Sequence, residues 1–481
     1  MRDAWPGTML AKVLSVEGMV RPDSVRGPLP RSGEAYGTLL RIAGPSVVEM
    51  VFVALIGFVD TVMVGSLGYE AIAAVGLTGQ PRMLMLAMFF ALNIGVTAIV
   101  ARRKGQELPG EAGETLRNAL VVILALSLVI MVVAVAWSRQ LMLFAGANED
   151  TLGMAETYFT VTAWFLPVNA ITMCINAAQR GIGNTKTTMY VNVAANVVNV
   201  IGNYLLINGN LGFPKMGVAG AALATGIGMC VGLAMCLIAV YRGRATNRYL
   251  SMSPRDDWRL KSRTLKAIVK VGGNAMMEQV GLRFGFFLYA VIVASLGTES
   301  FAAHQVAMQF LNISFCFGDG IGVAGTSLVG QSLGMERPDL ATVYCKCSQR
   351  VALLVSIVLA ACILLFRTPL IGVFIDGGVA GNEVPFRLGV EIMLLVAMFQ
   401  PVQMSSVVIS GCLRGAGDNL IVAVIMIVCV AGIRPTLCLI SIRLLGFGLS
   451  AAWTSSLIDM SIRLTLVYRR LVGGRWQNKK V

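Results

Sequence analysis

The stretch Ser66-Leu67-Gly68-x-Glu70-x-x-Ala73-Ala74 returns later in the chain as Ser295-Leu296-Gly297-x-Glu299-x-x-Ala302-Ala303, and Gln80 and Gln309 follow at the same offset. Arg180-Gly181-x-Gly183-Asn184 returns as Arg414-Gly415-x-Gly417-Asp418, and Leu211-Gly212-Phe213 as Leu445-Gly446-Phe447. Every pair lies about 230 residues apart, so the 481 residues read as two homologous halves. What surrounds these motifs decides what the halves are. The chain is 56% hydrophobic and only 13% charged, against about 25% charged in a soluble domain. Its mean hydropathy is +0.75. Its apolar residues come in long blocks rather than in alternation, which excludes a soluble single-core enzyme, a disordered chain and a small disulfide scaffold.

A membrane span needs about 20 apolar residues. Twelve blocks qualify, near 42–64, 72–100, 118–137, 155–175, 187–208, 217–241, 265–295, 301–331, 350–372, 386–411, 420–442 and 447–468. Each half then holds six spans. An even number gives both halves the same orientation, related by an axis along the membrane normal, as in parallel transporter repeats. The expected fold is all-α, integral to the membrane, with about twelve transmembrane helices in two pseudo-symmetric six-helix lobes. The expected boundaries are a poorly ordered tail over 1–38, an N-lobe over 39–241, a basic linker over 242–264, a C-lobe over 265–470 and a second tail over 471–481. Two bundles around a central cavity are the plan of an alternating-access carrier, with a channel as the other reading.

The formal net charge is +14, which in a soluble protein would point to nucleic acid. Here the basic residues sit in alternate loops. Arg2, Lys12, Arg21, Arg26 and Arg31 precede span one, Arg102, Arg103 and Lys104 follow span two, and Arg242, Arg244, Arg248, Arg255, Arg259 and Lys261 follow span six. Arg337 follows span eight, and Arg469, Arg470, Arg475, Lys479 and Lys480 close the chain. Cytoplasmic loops of membrane proteins carry this excess. Both termini are therefore expected in the cytoplasm and the protein in the plasma membrane (the inner membrane in a bacterium). The lipid bilayer is its expected partner and nucleic acid is not.

Ionisable groups inside spans are costly and point to function. Asp60 lies deep in span one, in Gly57-Phe58-Val59-Asp60-Thr61, with no basic residue between Arg41 and Arg82. A carboxylate among apolar groups is neutralised by a proton or a cation. Asn192, Asn196, Asn199 and Asn203 in span five are spaced four, three and four apart and share one helical face. With the hydroxyl of Thr225 in span six, carboxylate and amides suit a hard cation or a proton relay. Glu49, three turns before Asp60, and Glu278 and Arg283 in span seven are candidates for a substrate cavity. Glu278 and Arg283 are roughly 140° apart on their helix and so should meet different partners. Asp459 and Arg463, four apart in span twelve, read as an ion pair. His304, whose repeat counterpart is Val75, reads as a packing residue.

Other motifs lead nowhere. Gly320-x-Gly322-x-x-Gly325 lies in an apolar span without a strand-to-helix context, and no Walker motif is present, so an ion gradient is the expected energy source. Seven of the ten cysteines lie in apolar stretches and Cys345-x-Cys347 has no partner pair for zinc. No metal site or cofactor is expected beyond H+ or Na+ as coupling ion.

These residues resemble the multidrug and toxic compound extrusion (MATE) family of the multidrug/oligosaccharidyl-lipid/polysaccharide flippase superfamily, from about residue 36 to 470. The resemblance is carried by Gly57-Phe58-Val59-Asp60-Thr61 with Gly65, by Leu296-Gly297 with Ala302-Ala303-His304-Gln305, by the two Arg-Gly-x-Gly motifs, and by Gly217-Val218-Ala219-Gly220-Ala221-Ala222-Leu223-Ala224-Thr225. It implies a monomeric antiporter exporting small organic cations, drugs or other amphiphiles in exchange for H+ or Na+. It also implies an N-lobe cation site on Asp60, Asn199, Asn203 and Thr225, with Na+ at the first three as one form of it. Asn203 stands where many members have Asp, which favours the proton. In span ten the chain offers Gln400 and Gln403 instead of the carboxylate of one branch, and these join Gln305 among the cavity candidates. A flippase for lipid-linked or polysaccharide intermediates is the alternative in the same fold.

Overall fold

Backbone N–H and C=O groups have no water to bond in a bilayer, so an apolar run of this length satisfies them internally as a helix. The computed structural model describes residues 15–16, 18–241, 248–253, 256–374 and 383–479. Arg2, Lys12, Arg242, Arg244, Arg255 and Lys480 lie outside the described residues. Six long helical spans are followed by six more. Spans one to three are Ser32–Gly65, Tyr69–Gly105 and Pro109–Ala136. Span four is Glu149–Trp164 with Leu166–Gly181, bent by 51° beside Pro167. Spans five and six are Thr185–Leu206 and Gly217–Tyr241. Spans seven to ten are Ser262–Ala294, Thr298–Gly334, Pro338–Gly372 and Glu383–Gly415. Span eleven runs from Asn419 to Leu444 and turns π-helical at Val428–Ile433 and Ile440–Leu444. Span twelve is Leu449–Val472.

Among the described residues there is no strand, and ten helices are long and apolar enough to cross a membrane, eleven with the bent pair. Span twelve is long enough but carries Asp459, Arg463, Arg469 and Arg470. Large apolar side chains such as Phe58, Phe287 and Leu365 are exposed, as a lipid-facing surface requires.

The repeat is visible in matching contacts. Gly68 and Gly297, the glycines of the opening motif, both turn the chain between spans at positive φ, 113° and 100°. Thr97 Oγ1 donates to the Ala177 carbonyl oxygen (3.0 Å) and Thr326 Oγ1 to that of Gly411 (2.8 Å). A Cβ at Gly181 would stand 2.8 Å from the Thr97 carbonyl oxygen, and one at Gly415 closer still to that of Thr326. Both glycines open the Arg-Gly motif, so the motif marks where span four meets span two and span ten meets span eight. The nucleotide-like glycines serve packing too: a Cβ at Gly320 would meet Val47 at 2.6 Å, and one at Gly325 the Cys412 sulfur at 2.7 Å.

The chain forms two compact units, Met1–Val47 with Met277–Val481, and Val48–Met276. These differ from lobes split at the linker, because spans one and seven each divide. The first turns of span one (Ala35, Leu39, Ile42 and Ala43) belong to the core built with Ile321, Ala324 and Leu328 of span eight. The first turns of span seven pack at Gly95 of span two, through Ile268 and Val271.

The described parts of both expected tails pack against the helices. Val16 and Met19 are buried in the core beside span nine. Arg350 Nη1 donates to the Ser15 carbonyl oxygen (3.0 Å), Lys346 Nζ to that of Met19 (2.5 Å) and Arg337 Nη2 to that of Pro28 (3.1 Å). Irregular backbone is held here by side-chain donors, which composition does not reveal. At the other end Trp476 is buried, its Nε1 donating to the Leu471 carbonyl oxygen (2.8 Å). The described part of the linker is tied to span three, where Glu114 accepts from Lys261 Nζ and Thr264 Oγ1, each at 2.7 Å.

The glycine contacts predict that Gly415→Leu, forced against a backbone carbonyl, costs about 1–3 kcal/mol. Its melting temperature in detergent should fall by several degrees. Gly79→Leu, with nothing within 4 Å of its Cβ, should leave the midpoint within the error of the wild-type value.

Candidate functional site

Two carboxylates stand eleven residues apart on span one, Glu49 and Asp60, and two amides stand eleven apart on span five, Asn192 and Asn203. Eleven residues are close to three helical turns, roughly 16 Å of axis. Two neighbouring helices can therefore match both pairs at once, and they do. Asn192 Nδ2 donates to Glu49 Oε1 (2.6 Å) and Asn203 Nδ2 donates to Asp60 Oδ1 (2.8 Å). The row of four asparagines thus serves two separate centres, with Asn196 Nδ2 turned onto the Asn192 carbonyl oxygen (2.7 Å) between them.

At the first centre Glu49 is buried and fully bonded, accepting also from Arg180 Nη2 and from Thr188 Oγ1 (2.9 Å). Three charge-assisted bonds on one carboxylate make a locked structural pair.

At the second centre the hydrogen-bond partners of Asp60 are neutral amides, and Arg82 shares its cavity without bonding to it. The Asn199 amide reaches the carboxylate on one side and Thr225 on the other. With its nitrogen towards Asp60 it donates to Oδ1 (2.8 Å) and Oδ2 (3.0 Å), while its oxygen accepts from the Thr225 backbone N–H (3.1 Å) and Oγ1 (3.0 Å). Turned over, Asn199 Nδ2 faces Thr225 Oγ1 (3.0 Å) but also the Thr225 backbone N–H (3.1 Å), donor against donor, and its oxygen faces the carboxyl. An amide oxygen at hydrogen-bond distance from a carboxyl oxygen needs a proton between them. The first orientation therefore satisfies both groups and suits an ionised Asp60, whereas the second opposes the Thr225 N–H with another donor whatever the state of Asp60. Asp60, Asn203 and Thr225 line a cavity of about 260 Å³ together with Thr61, Tyr158 and Arg82.

All four residues expected in the cation site come together. None of the six expected to line a substrate cavity lines the Asp60 cavity. Glu49 points the same way as Asp60 but three turns along, where Arg180 takes it. Glu278 is buried and paired with Arg414 Nη2. Gln400 and Gln403 are fully enclosed, Gln400 donating to the Val396 carbonyl oxygen (3.0 Å), while Arg283 and Gln305 are exposed. Asp459 does not pair with Arg463. Its Oδ2 accepts from Nε and Nη2 of Arg434 (3.0 and 2.8 Å), and Arg463 Nη1 donates to the Met426 sulfur at 3.5 Å. A fork of donors from span eleven displaces the nearer residue of the same helix. His304 does pack, against Tyr289, Trp453 and Phe301, with ring centroids 5.6, 5.5 and 6.1 Å away.

The two Glu–Arg pairs were not anticipated, although the repeat contains them. Ser66 to Ser295 is 229 residues and Arg180 to Arg414 is 234; the first step carries Glu49 to Glu278 and the second carries its partner. Arg82 and Tyr158 on the cavity wall had no such signal. Among the described residues no group of three or more His, Cys, Asp or Glu could hold a metal, and the ten cysteines are free.

The MatE family model matches residues 45–205 and 275–440, which is more than half of the chain. The chain is 26% identical to the uncharacterized transporter YisQ of Bacillus subtilis over 94% of this chain and 97% of that one. It is 24% identical to a "Probable multidrug resistance protein NorM" of Thermotoga maritima, covering 92% and 93%. Among solved structures, a MOP superfamily transporter from Pyrococcus furiosus superposes with a TM-score of 0.85 at 20% identity, covering 93% of this chain and 97% of that one. An outward-facing multidrug resistance MATE family transporter gives 0.84 at 21%, covering 92% and 97%. These two share its fold of twelve transmembrane helices in two lobes. The family consists of transporters rather than enzymes. The chain, a multi-pass membrane protein, belongs to the MATE transporter family.

Proposed function

We propose that the protein is a secondary antiporter that exports drugs, organic cations or other amphiphiles in exchange for a proton taken up at Asp60. One observation carries the reading: Asp60 is the carboxylate on a cavity wall whose hydrogen-bond partners are neutral amides, with no guanidinium bonded to it. When Asp60 is ionised, Asn199 and Asn203 donate to it. When it takes a proton, the negative charge to which both amides donate is removed. Proton uptake thus weakens the bonds that hold Asn199 and Asn203 to Asp60. The contacts that draw spans one, five and six together therefore differ between the two states. A difference of this kind lets a proton bias a conformational equilibrium, and the substrate biases it in the opposite sense.

Na+ is the second candidate ion. Its ligands would be Asp60 and the side-chain oxygens of Asn199 and Thr225. With Asn at 203 there is a single carboxylate to balance the ion, which favours the proton. The similarity to proteins named for multidrug resistance supports drug-like substrates. The charge pattern of the loops supports a plasma-membrane protein with both termini in the cytoplasm. The chain would work as a monomer with no resident cofactor. A flippase for lipid-linked phosphates is less well supported, since the Asp60 cavity sets a carboxylate beside its basic residue, Arg82.

The test is counterflow in proteoliposomes with an imposed pH gradient and a fluorescent cationic dye. Asp60→Asn should reduce gradient-driven dye export at least tenfold, while dye binding to the purified protein persists. Export at the normal rate would remove the proposal.

Asn203→Asp adds the missing second carboxylate. It should make dye export respond to a Na+ gradient to which the wild type is indifferent. If wild-type export already follows Na+ with no pH gradient, the proton assignment fails.

A further inference from the structure

The same two steps along the repeat, 229 residues for spans one and two and 234 for spans four to six, show what stands in the second half where the Asp60 centre stands in the first. Asp60 becomes Tyr289, Gly57 becomes Phe286, Val75 becomes His304 and Thr225 becomes Asp459. These counterparts are assembled around a single side chain, Arg434. Its guanidinium donates twice to Asp459 Oδ2 and lies over the Phe286 and Tyr289 rings, 5.2 and 5.7 Å from their centroids. In the first half the residue that bonds to Asp60 and Thr225 is Asn199. In the second half the residue that meets Tyr289 and Asp459, their counterparts, is Arg434.

By residue number alone Asn199 matches Ile433. A π-helical turn, Val428–Ile433, ends immediately before Arg434. Such a turn takes in one residue more than an α-helical turn, which brings Arg434 round to Asn199's place. The carboxylate has moved from the span-one position to the span-six position and is now fully buried, as is the arginine. Aromatic faces replace Gly57 and Asp60, and such faces hold a desolvated cation well. Asp459 Oδ1 and His304 Nδ1 remain buried with no hydrogen-bond partner, so the carboxylate has one oxygen not taken up by the arginine.

We propose that the second repeat keeps a site for a monovalent cation of the guanidinium class, formed by Asp459 with Phe286 and Tyr289, and that Arg434 is its permanent, covalently tethered occupant. Exchange with the gradient is then confined to the Asp60 centre, so one ion moves per cycle. That last statement rests on the proposed role of Asp60; the existence of the second site does not.

The experiment is thermal unfolding of the purified full-length protein in detergent, with guanidinium chloride at low millimolar concentration as probe and NaCl at equal ionic strength as control. Arg434→Ala removes both donors to Asp459 Oδ2, leaving only Arg463 of the same helix, which is not bonded to it, to oppose its charge, and should melt several degrees lower than wild type. Guanidinium should restore most of that loss by binding only the folded state, NaCl should restore much less, and the wild type should not respond. Arg434→Ala with Asp459→Asn should lose the guanidinium response. A response absent from Arg434→Ala, or equal in the double variant, overturns the site. Should Arg434→Ala not fold, Arg434→Gln with Asp459→Asn keeps the shape and removes both charges. It should exchange the same number of protons per dye as wild type. A lower number would make Asp459 a second exchanging group and overturn the tethered occupant. The melting measurement needs no transport, so a normal Asp60→Asn exporter with intact guanidinium rescue would discard the antiport reading and keep the site.

Discussion

A carboxylate inside an apolar helical bundle must be matched, because an isolated buried charge is far too costly to keep. Four buried or half-buried carboxylates show how this chain meets the constraint. Glu49 is matched by Arg180, Glu278 by Arg414 and Asp459 by Arg434. Each of these pairs carries its own counter-charge, and removing one member of such a pair is strongly destabilising. Asp60 is matched by amide donors on Asn199 and Asn203. An amide stabilises a charge by hydrogen bonding but leaves the net charge in place, so this is the centre at which a mobile cation gains most. Glu49, Glu278 and Asp459 thus differ from Asp60 in having a guanidinium, rather than an amide alone, at hydrogen-bond distance.

Duplication explains both the likeness of the halves and their division of labour. The Glu–Arg pair occurs twice at equivalent positions, but its surroundings have diverged. Thr188 and Asn192, which complete the bonding of Glu49, are replaced one repeat later by Val422 and Met426. Glu278 Oε2 is accordingly buried with no partner, and the Met426 sulfur receives Arg463 instead. The Asp60 centre has diverged further, its first-half glycine and carboxylate giving way to aromatic rings and its amide to an arginine.

Much of this was legible in the sequence. Spans show as apolar blocks because the bilayer sets their length, and the four residues of the Asp60 centre show as polar groups with helical spacing. Two kinds of feature were not. Partner choice across helices depends on tertiary placement: Asp459 and Arg463 have ideal i,i+4 spacing, yet a π-helical turn in another span delivers Arg434 to the same carboxylate. Docking of irregular backbone is equally silent. Residues 15–31 read as a loose polar tail, but Arg337, Lys346 and Arg350 hold them by their carbonyl oxygens, a mode with no pattern in composition. The Glu–Arg pairs fall between these cases, since they follow from applying two repeat offsets together.

The spacing of Glu49 and Asp60 has a mechanical consequence. Both carboxylates tie span one to span five, three turns apart, one through a fixed charge network and the other through bonds that depend on protonation. If both ties were fixed, the two helices would move only as one body. If both could be released, they would have no common pivot. Under the proposed role of Asp60, one permanent and one conditional tie on the same pair of helices would act as a hinge at Glu49 and a latch at Asp60. The latch sits on the wall of the cavity, where filling the space and neutralising the carboxylate act on the same side chains. In the proposed antiport, competition between substrate and proton would then need no path through the protein, because Asp60, Asn203 and Thr225 all line this cavity.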